Sequence, residues 1–535
     1  MQRVVVIGLD GGTLDLMEEW MDKGFLPNFD KIKKKGVYGN LLSTMPYYSA
    51  SAWVSIVTGC NPGKHGIYDF FRTDSVSKKL INSRYRKVPA IWNILTDNDK
   101  RSIIVNVPGT YPPEPINGVI ITGLLTPSLE SDFTYPKSIK DELVDGKLGR
   151  YELEQVAVDD VPKSLLAKYA PEKLAEQVNK MTVSHATVAI NLMKKYEWDF
   201  AMVVFRGTDD VQHLLWDKKD LISSCYKKAD EYLGKMMEFF PDATFIVVSD
   251  HGFQKVEKYL YVNNLLYNAG FLKTHSPPTY SFSNILLTLF NKLSKFLFHL
   301  FPLKTFFRSK LGRKLVLSSG SNKNIDLTRT IALYHSICSR GIRINLKEKY
   351  DHGILDRKDY EKIRREIIKL LEGLKDPENG KKIVKKVYPW EEIYGKNAEN
   401  DPLDLIIDLE RGYGAQELLR FPEEVKDARY YEKEGKMPIL APPGFYDWVG
   451  DHSPNGILFM YGKNIKPNYR IDASVIDIVP TVLSIMNMPI PDNIDGNVIE
   501  DAFIKKPRIK KAPSAKRKLL TDAEIKAIKK LKLKP

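Results

Sequence analysis

The 535-residue chain is long enough for roughly two to four folding units, and its 43% hydrophobic and 28% charged residues exclude a disordered protein. Its three cysteines, Cys60, Cys225 and Cys338, are far apart and odd in number, which speaks against a disulfide framework or a cysteine-based zinc site and points to a reducing compartment. The formal charge of +14 is a property of the tail: residues 505–535 hold 13 Lys and Arg against two acids, so the first 504 residues are close to neutral.

The N-terminus, MQRVVVIGLD, lacks the charged flank, long apolar core and small-residue cleavage site of a secretory signal, which predicts a cytoplasmic protein. The same stretch opens a series of short apolar runs: RVVVIGL (3–9), SIIVNV (102–107), GVIITG (118–123), FAMVVF (200–205) and TFIVVS (244–249). Each reads as a strand buried on both faces, the pattern of parallel strands. Helical stretches separate them, 172–196 and 217–239 among them, so the alternation predicts a layered α/β fold around a mostly parallel sheet.

Residues 281–303 are the most apolar stretch, but Asn291, Lys292 and Lys295 interrupt it and no membrane span is expected. Within it, Leu286, Leu289, Leu293, Phe296 and Leu300 form one helical stripe followed by several Lys and Arg. Segment 281–317 therefore reads either as a packed cap helix or as a contact for an anionic membrane surface, which would make the protein peripheral to a membrane. From about 328 the chain looks folded again: TIALYHS and GIRINL read as strands, 358–374 as an amphipathic helix and LDLIIDL (403–409) as a strand. The tail, 505–535, reads as a solvated Lys-rich segment or as a weak contact for RNA, anionic lipid or an acidic partner; Thr521 and Glu524 have capping-box spacing for a short terminal helix.

In parallel sheets, ligands bind beyond the carboxyl ends of the strands. Three strands deliver acids or imidazoles there: Asp10 follows the first, Asp209 and His213 follow FAMVVF, and Asp250 and His251 end FIVVSDHG. Asp209 and His213 are four residues apart, one face of a helix, and carboxylates with neutral imidazoles suit zinc or manganese. Each residue alone would pass for a capping or turn residue; their convergence is what points to a metal site.

The ordered set VVVIGLDGGT (4–13), YYSASAWVSIVTGCNPGKHGIYDF (47–70), GTDDVQH (207–213), VSDHG (248–252) and GDHSPNG (450–456) resembles the alkaline phosphatase superfamily, in particular its type I phosphodiesterase/nucleotide pyrophosphatase branch and the prokaryotic phosphohydrolase/phosphomutase relatives within it. IDIVPTVLSIMNMPIPDNIDG (476–496) extends the likeness. The resemblance implies a three-layer α/β/α core with an inserted cap, and a phosphodiesterase or phosphohydrolase acting on a phosphorylated small molecule or phosphodiester. A pair of divalent metal ions is implied, zinc foremost, with manganese or magnesium as alternatives. One would be held by Asp10, Asp250, His251 and the nucleophile oxygen, the other by Asp209, His213 and His452.

In that branch the nucleophile stands nine residues before the Thr of a Thr-Gly pair; Thr58-Gly59 places it at Ser49, at the start of a helical stretch whose amides favour anions. Ser51 and Ser55 are rival hydroxyls. A serine coordinated to a dication is activated without a nearby base, and the phosphoserine formed can pass to water or to another alcohol, so phosphomutase and phosphotransferase reactions share the same residues. A non-catalytic membrane- or RNA-binding protein is the alternative of another class. One departure matters: nucleotide pyrophosphatases carry Asn three residues after the nucleophile, where this chain has Ala52. The Pro and Arg of a sulfatase motif are missing around Ser49. Arg206 and Lys64 are candidate substrate contacts, Arg206 equally a partner for a carboxylate, and His65 reads as a packing residue. The spacing divides the chain into a first core part (1–265), an inserted cap or substrate subdomain (266–435), a second core part with the last ligand (436–504) and the tail (505–535).

Overall fold

Along Val4–Leu9 (β1), Val5, Ile7 and Leu9 join one hydrophobic cluster while Val4 and Val6 join another, and all five are buried. A strand with two dry faces must lie inside a sheet covered on both sides. That sheet contains, in chain order after β1, Val37–Leu42 (β2), Ser102–Val107 (β3), Gly118–Thr122 (β4), Thr134–Tyr135 (β5), Phe200–Phe205 (β6), Thr244–Val248 (β7), Asn455–Tyr461 (β8), Tyr469–Arg470 (β9) and Ala473–Ser474 (β10). These strands belong to a computed structural model that describes residues 2–73, 79–153, 157–158, 161–275, 325–400, 402–419, 437–443 and 448–516. The expected membrane-contact segment 281–317 and residues 517–535 of the tail lie outside the described residues.

The strand order is β9-β2-β8-β7-β1-β6-β3-β4-β5, with β10 also pairing to β2. From β7 to β4 the five central strands are parallel, and β8 joins antiparallel between β7 and β2. The period-2 alternation is plain in β6, where Ala201, Val203 and Phe205 face the first cluster and Phe200, Met202 and Val204 the second; in β3 a register shift after Val105 turns Val107 to the second cluster. Helices Pro171–Lys195 and Lys219–Phe239 cover one face, placing Val178, Ala189, Leu233 and Met236 on the sheet. Helices Ser49–Thr58 (α1) and Ile478–Ile485 cover the other, with Trp53, Ile56, Val479 and Val482. This is the three-layer α/β/α architecture expected from the motifs.

A second sheet stands apart from the first. Strands Ala332–Tyr334, Gly341–Ile344, Leu405–Leu409 and Val384–Pro389 pair antiparallel in that order. Helix Tyr360–Glu372 lays Tyr360, Ile367 and Leu371 against them in a separate hydrophobic cluster that reaches from Leu260 to Leu440. Among the described residues, no helix is long and apolar enough to cross a membrane.

One contact on β1 decides where α1 lies. At Gly8 an added Cβ would come within 2.3 Å of the Trp53 ring, so the missing side chain lets the indole press onto the strand and carries the start of α1 just past the strand's end. Gly8→Val should overpack this contact and lower stability by about 1–3 kcal/mol, read as a shift in the denaturant midpoint.

Candidate metal centre

Because β7, β1 and β6 are neighbours running the same way, the residues just beyond each meet at one edge. Asp10 follows β1; helix Gly207–Leu215 (α2) follows β6 and sets Asp209 and His213 one turn apart; Asp250 and His251 follow β7. The chain then forms strand Gly252–Lys255, against which Gly450–Ser453 pairs antiparallel with His452 opposite Phe253. That pairing returns His452, some 200 positions on, to the same edge. Gly11 has φ +67°, the left-handed turn that takes the chain off β1, and Phe253 fills the space a side chain would occupy.

All seven residues expected here come together, and all are buried. His452 Nε2 lies 2.9 Å from His213 Nε2 and 3.2 Å from Asp209 Oδ1, and His213 Nε2 lies 3.4 Å from the same oxygen. His251 Nε2 lies 3.1 Å from Asp250 Oδ2 and 3.5 Å from Asp10 Oδ1. Ser49, the first residue of α1, has Oγ 3.3 Å from Asp10 Oδ1 and 3.2 Å from His251 Nε2. His251 Nε2 is also 4.0 Å from Asp209 Oδ1, so the two groups are contiguous.

The orientation of each imidazole follows from its other nitrogen. His213 Nδ1 is 2.9 Å from the carbonyl of Gly450, His251 Nδ1 3.1 Å from that of Gly252, and His452 Nδ1 3.1 Å from that of Tyr47. A carbonyl only accepts, so each Nδ1 carries a proton and each Nε2 is the nitrogen left to meet a cation or a second proton. The carboxylates follow a similar division. Asp10 Oδ2 accepts from Trp53 Nε1 at 2.9 Å and Arg206 Nε at 2.8 Å, leaving Oδ1 inward. Asp209 Oδ2 accepts from Arg206 Nη2 at 2.8 Å, leaving Oδ1 inward. Asp250 Oδ1 accepts from the Gly11 amide at 3.2 Å, leaving the buried Oδ2 turned to His251 Nε2.

Ring nitrogens and carboxylate oxygens thus converge around the Ser49 hydroxyl, a ligand set made for cations. The charge balance agrees, since of the three buried carboxylates two pair with Arg206 and Asp250 has no guanidinium partner among the described residues. Burial and the neighbouring Asp250 push the Asp10 carboxyl well above its ordinary range, against the pull of Arg206. Burial also opposes ionisation of Asp209, but His213, His452 and Arg206 outweigh it and hold that carboxyl well below the usual range. Burial opposes a charge on His251, yet Asp250, Asp10 and Asp209 raise it to about 9, whereas burial and the adjacent His251 push His452 down to about 3. The cluster draws positive charge even in the form of a proton.

The other expectations have definite places. Arg206 is in the site but joins Asp10 to Asp209, and Lys64 pairs with Asp495 and donates to the carbonyl of Asn493 at 3.1 Å. Ser51 Oγ donates to the Pro46 carbonyl at 2.7 Å, and Ser55 Oγ lies 2.9 Å from His65 Nε2, so both rival hydroxyls are occupied elsewhere. His65 accepts from the Ile67 amide through Nδ1, the packing role read for it. Sequence reasoning missed Trp53, the Tyr47 carbonyl, Trp448, whose ring lies 3.7 Å from that of His213, and Asp451, which accepts from Tyr48 Oη and the His452 amide at 2.7 Å each. Tyr47-Tyr48 and Asp451 flank quoted motif residues; a backbone carbonyl leaves no mark in sequence.

A comparison with curated proteins finds no match. Among solved structures, the phosphonoacetate hydrolase of Sinorhizobium meliloti matches with a TM-score of 0.53 at 14% identity, covering 91% of this chain and 96% of that one. Murine and human ectonucleotide pyrophosphatase/phosphodiesterase 5 each match with a TM-score of 0.50 at 12% identity, covering 94% of this chain and 100% of theirs. At these identities the likeness establishes a shared fold. A family profile, type I phosphodiesterase/nucleotide pyrophosphatase, matches residues 4–417, and the chain therefore belongs to that family of phosphoric ester hydrolases in the alkaline phosphatase superfamily.

Proposed function

We propose that the chain hydrolyses phosphoric esters through Ser49, with Asp10, Asp250 and His251 holding one divalent cation beside the serine and Asp209, His213 and His452 holding a second. The observation that carries this reading is the division of labour in the three imidazoles: each gives Nδ1–H to a main-chain carbonyl and turns Nε2 onto carboxylate oxygens. The mixed imidazole and carboxylate donors suit zinc best, with manganese or magnesium as alternatives.

Ser49 Oγ attacks phosphorus, the ester's alcohol leaves, and the phosphoserine so formed passes its phosphoryl group to water. The contact of Ser49 Oγ with Asp10 Oδ1 at 3.3 Å supports its placement as nucleophile. Its position at the first turn of α1 aims the phosphoryl oxygens at amides that favour anions. Divalent cations at the centre would favour the serine alkoxide and offset charge on the phosphoryl oxygens. Arg206 fixes the outer oxygens of Asp10 and Asp209 and so orients their inner ones. The apolar Ala52, three residues after Ser49, supports general phosphoric esters over nucleotide pyrophosphates. Residues 266–435 act as the cap that selects the substrate, a reading supported by the separate sheet and core there.

Ser49→Ala should lower kcat by on the order of 10³-fold or more on p-nitrophenyl phosphate mono- and diesters while both cations stay bound; retained turnover would exclude the covalent route. Chelation should abolish activity, and zinc, manganese or magnesium should restore it. Asp250→Asn and His452→Ala should each reduce metal content from about two equivalents to about one, measured by elemental analysis of the purified protein.

A further inference from the structure

A buried guanidinium from the antiparallel sheet reaches the residues that orient His452. Arg340 lies between strands Ala332–Tyr334 and Gly341–Ile344, and its side chain is 1% exposed. Nη2 donates to Asp451 Oδ2 at 3.0 Å, and Nη1 donates to the Tyr47 hydroxyl. The guanidinium also lies 4.3 Å from the Tyr47 ring centroid and 5.4 Å from that of Tyr48. Tyr47 Oη donates onward to Asp408 Oδ1 at 3.1 Å, on strand Leu405–Leu409 of the same antiparallel sheet.

Tyr47 and Asp451 are the two residues that fix His452. The Tyr47 carbonyl takes the proton of His452 Nδ1, and Asp451 Oδ1 takes the His452 amide. Asp451 Oδ1 also takes Tyr48 Oη, which ties it to the residue immediately before Ser49. Among the described residues Arg340 joins Tyr47 to Asp451, and a planar fork of donors is what two separate acceptors require. A buried ion pair adds little to net stability, so orientation is the better account of this one. The backbone points the same way: Arg340 has φ +47°, a conformation that favours glycine, yet the position carries a long charged side chain.

We propose that Arg340 is a positioning residue for His452 and Ser49, so that the catalytic edge is complete only when the antiparallel sheet is seated on the parallel one. The inference rests on the reading above in taking His452 as a ligand and Ser49 as the nucleophile. Arg340 itself touches neither.

The test is calorimetric titration of the full-length, metal-stripped chain with Co²⁺, without substrate. Arg340→Met should take up the first equivalent as the unsubstituted chain does and the second about 10- to 100-fold more weakly. Its kcat should fall by a comparable factor while KM stays within about twofold, and Arg340→Lys, which keeps the charge but loses the fork, should recover part of both losses. A folded Arg340→Met chain that binds both equivalents with unaltered affinity overturns the proposal. If circular dichroism shows that this variant does not fold, Arg340→Lys decides, since it keeps the charge and removes only the fork. A weaker second equivalent there supports the proposal, and unaltered binding overturns it. An unsubstituted chain that takes up no second equivalent would bring down the two-cation reading and, with it, this inference.

Discussion

Three carboxylates buried at one sheet edge, two of them paired with Arg206, impose the constraint from which the rest follows. Ionised groups withdrawn from water are costly unless paired, and Arg206 can serve only the outer oxygens of Asp10 and Asp209. The inner oxygens and the three imidazole Nε2 atoms then face one another, an arrangement tolerable only where positive charge gathers. The parallel strands are the means: β1 and β6 are apolar throughout, β7 is so after its opening Thr244, and the chain changes character abruptly just beyond each, so the polar set is delivered as a group.

Much of this was legible in the sequence because the periodicities are plain. Two-faced apolar runs at 4–9, 200–205 and 244–248 have no place except inside a covered sheet, and the i, i+4 pair Asp209–His213 lies on one helical turn as expected. His452 needed the family motif, since nothing local indicates that strand 450–453 pairs back onto 252–255. Arg340 was illegible. Its partners are 293 and 111 positions away, in a segment whose pattern announces only strands and a helix. The role of Arg206 also could not be read, because a guanidinium beside two acids in sequence is equally suited to phosphate or carboxylate; its geometry puts it on the carboxylates.

The two sheets have separate cores, and beside a small apolar cluster in which Met45 and Tyr68 pack on Tyr394, Leu403 and Ile406 they meet at polar contacts. Arg340 with Asp451 and Tyr47 with Asp408 cross between them, as do Tyr68 Oη to the Glu399 carbonyl at 2.6 Å and Thr73 Oγ1 to the Asn400 carbonyl at 3.1 Å. Directional contacts of this kind set a relative orientation more sharply than apolar packing does, because a small rotation breaks a hydrogen bond while it merely rearranges methyl groups. The two units can therefore differ in the substrates they frame while keeping the same mutual pose at the edge.

The main-chain carbonyls behind the imidazoles have a consequence for substitution. Gly450, Gly252 and Tyr47 hold the rings through backbone atoms, so the aim of the ligands follows the path of the chain, to which Asp451 and Arg340 add their grip on His452. Two of these three carriers are glycines that admit nothing larger: an added Cβ would lie 2.0 Å from the Asn455 carbonyl oxygen at Gly252 and 2.3 Å from that of Gln212 at Gly450. The want of a side chain at two positions is thus what keeps two of the rings on target.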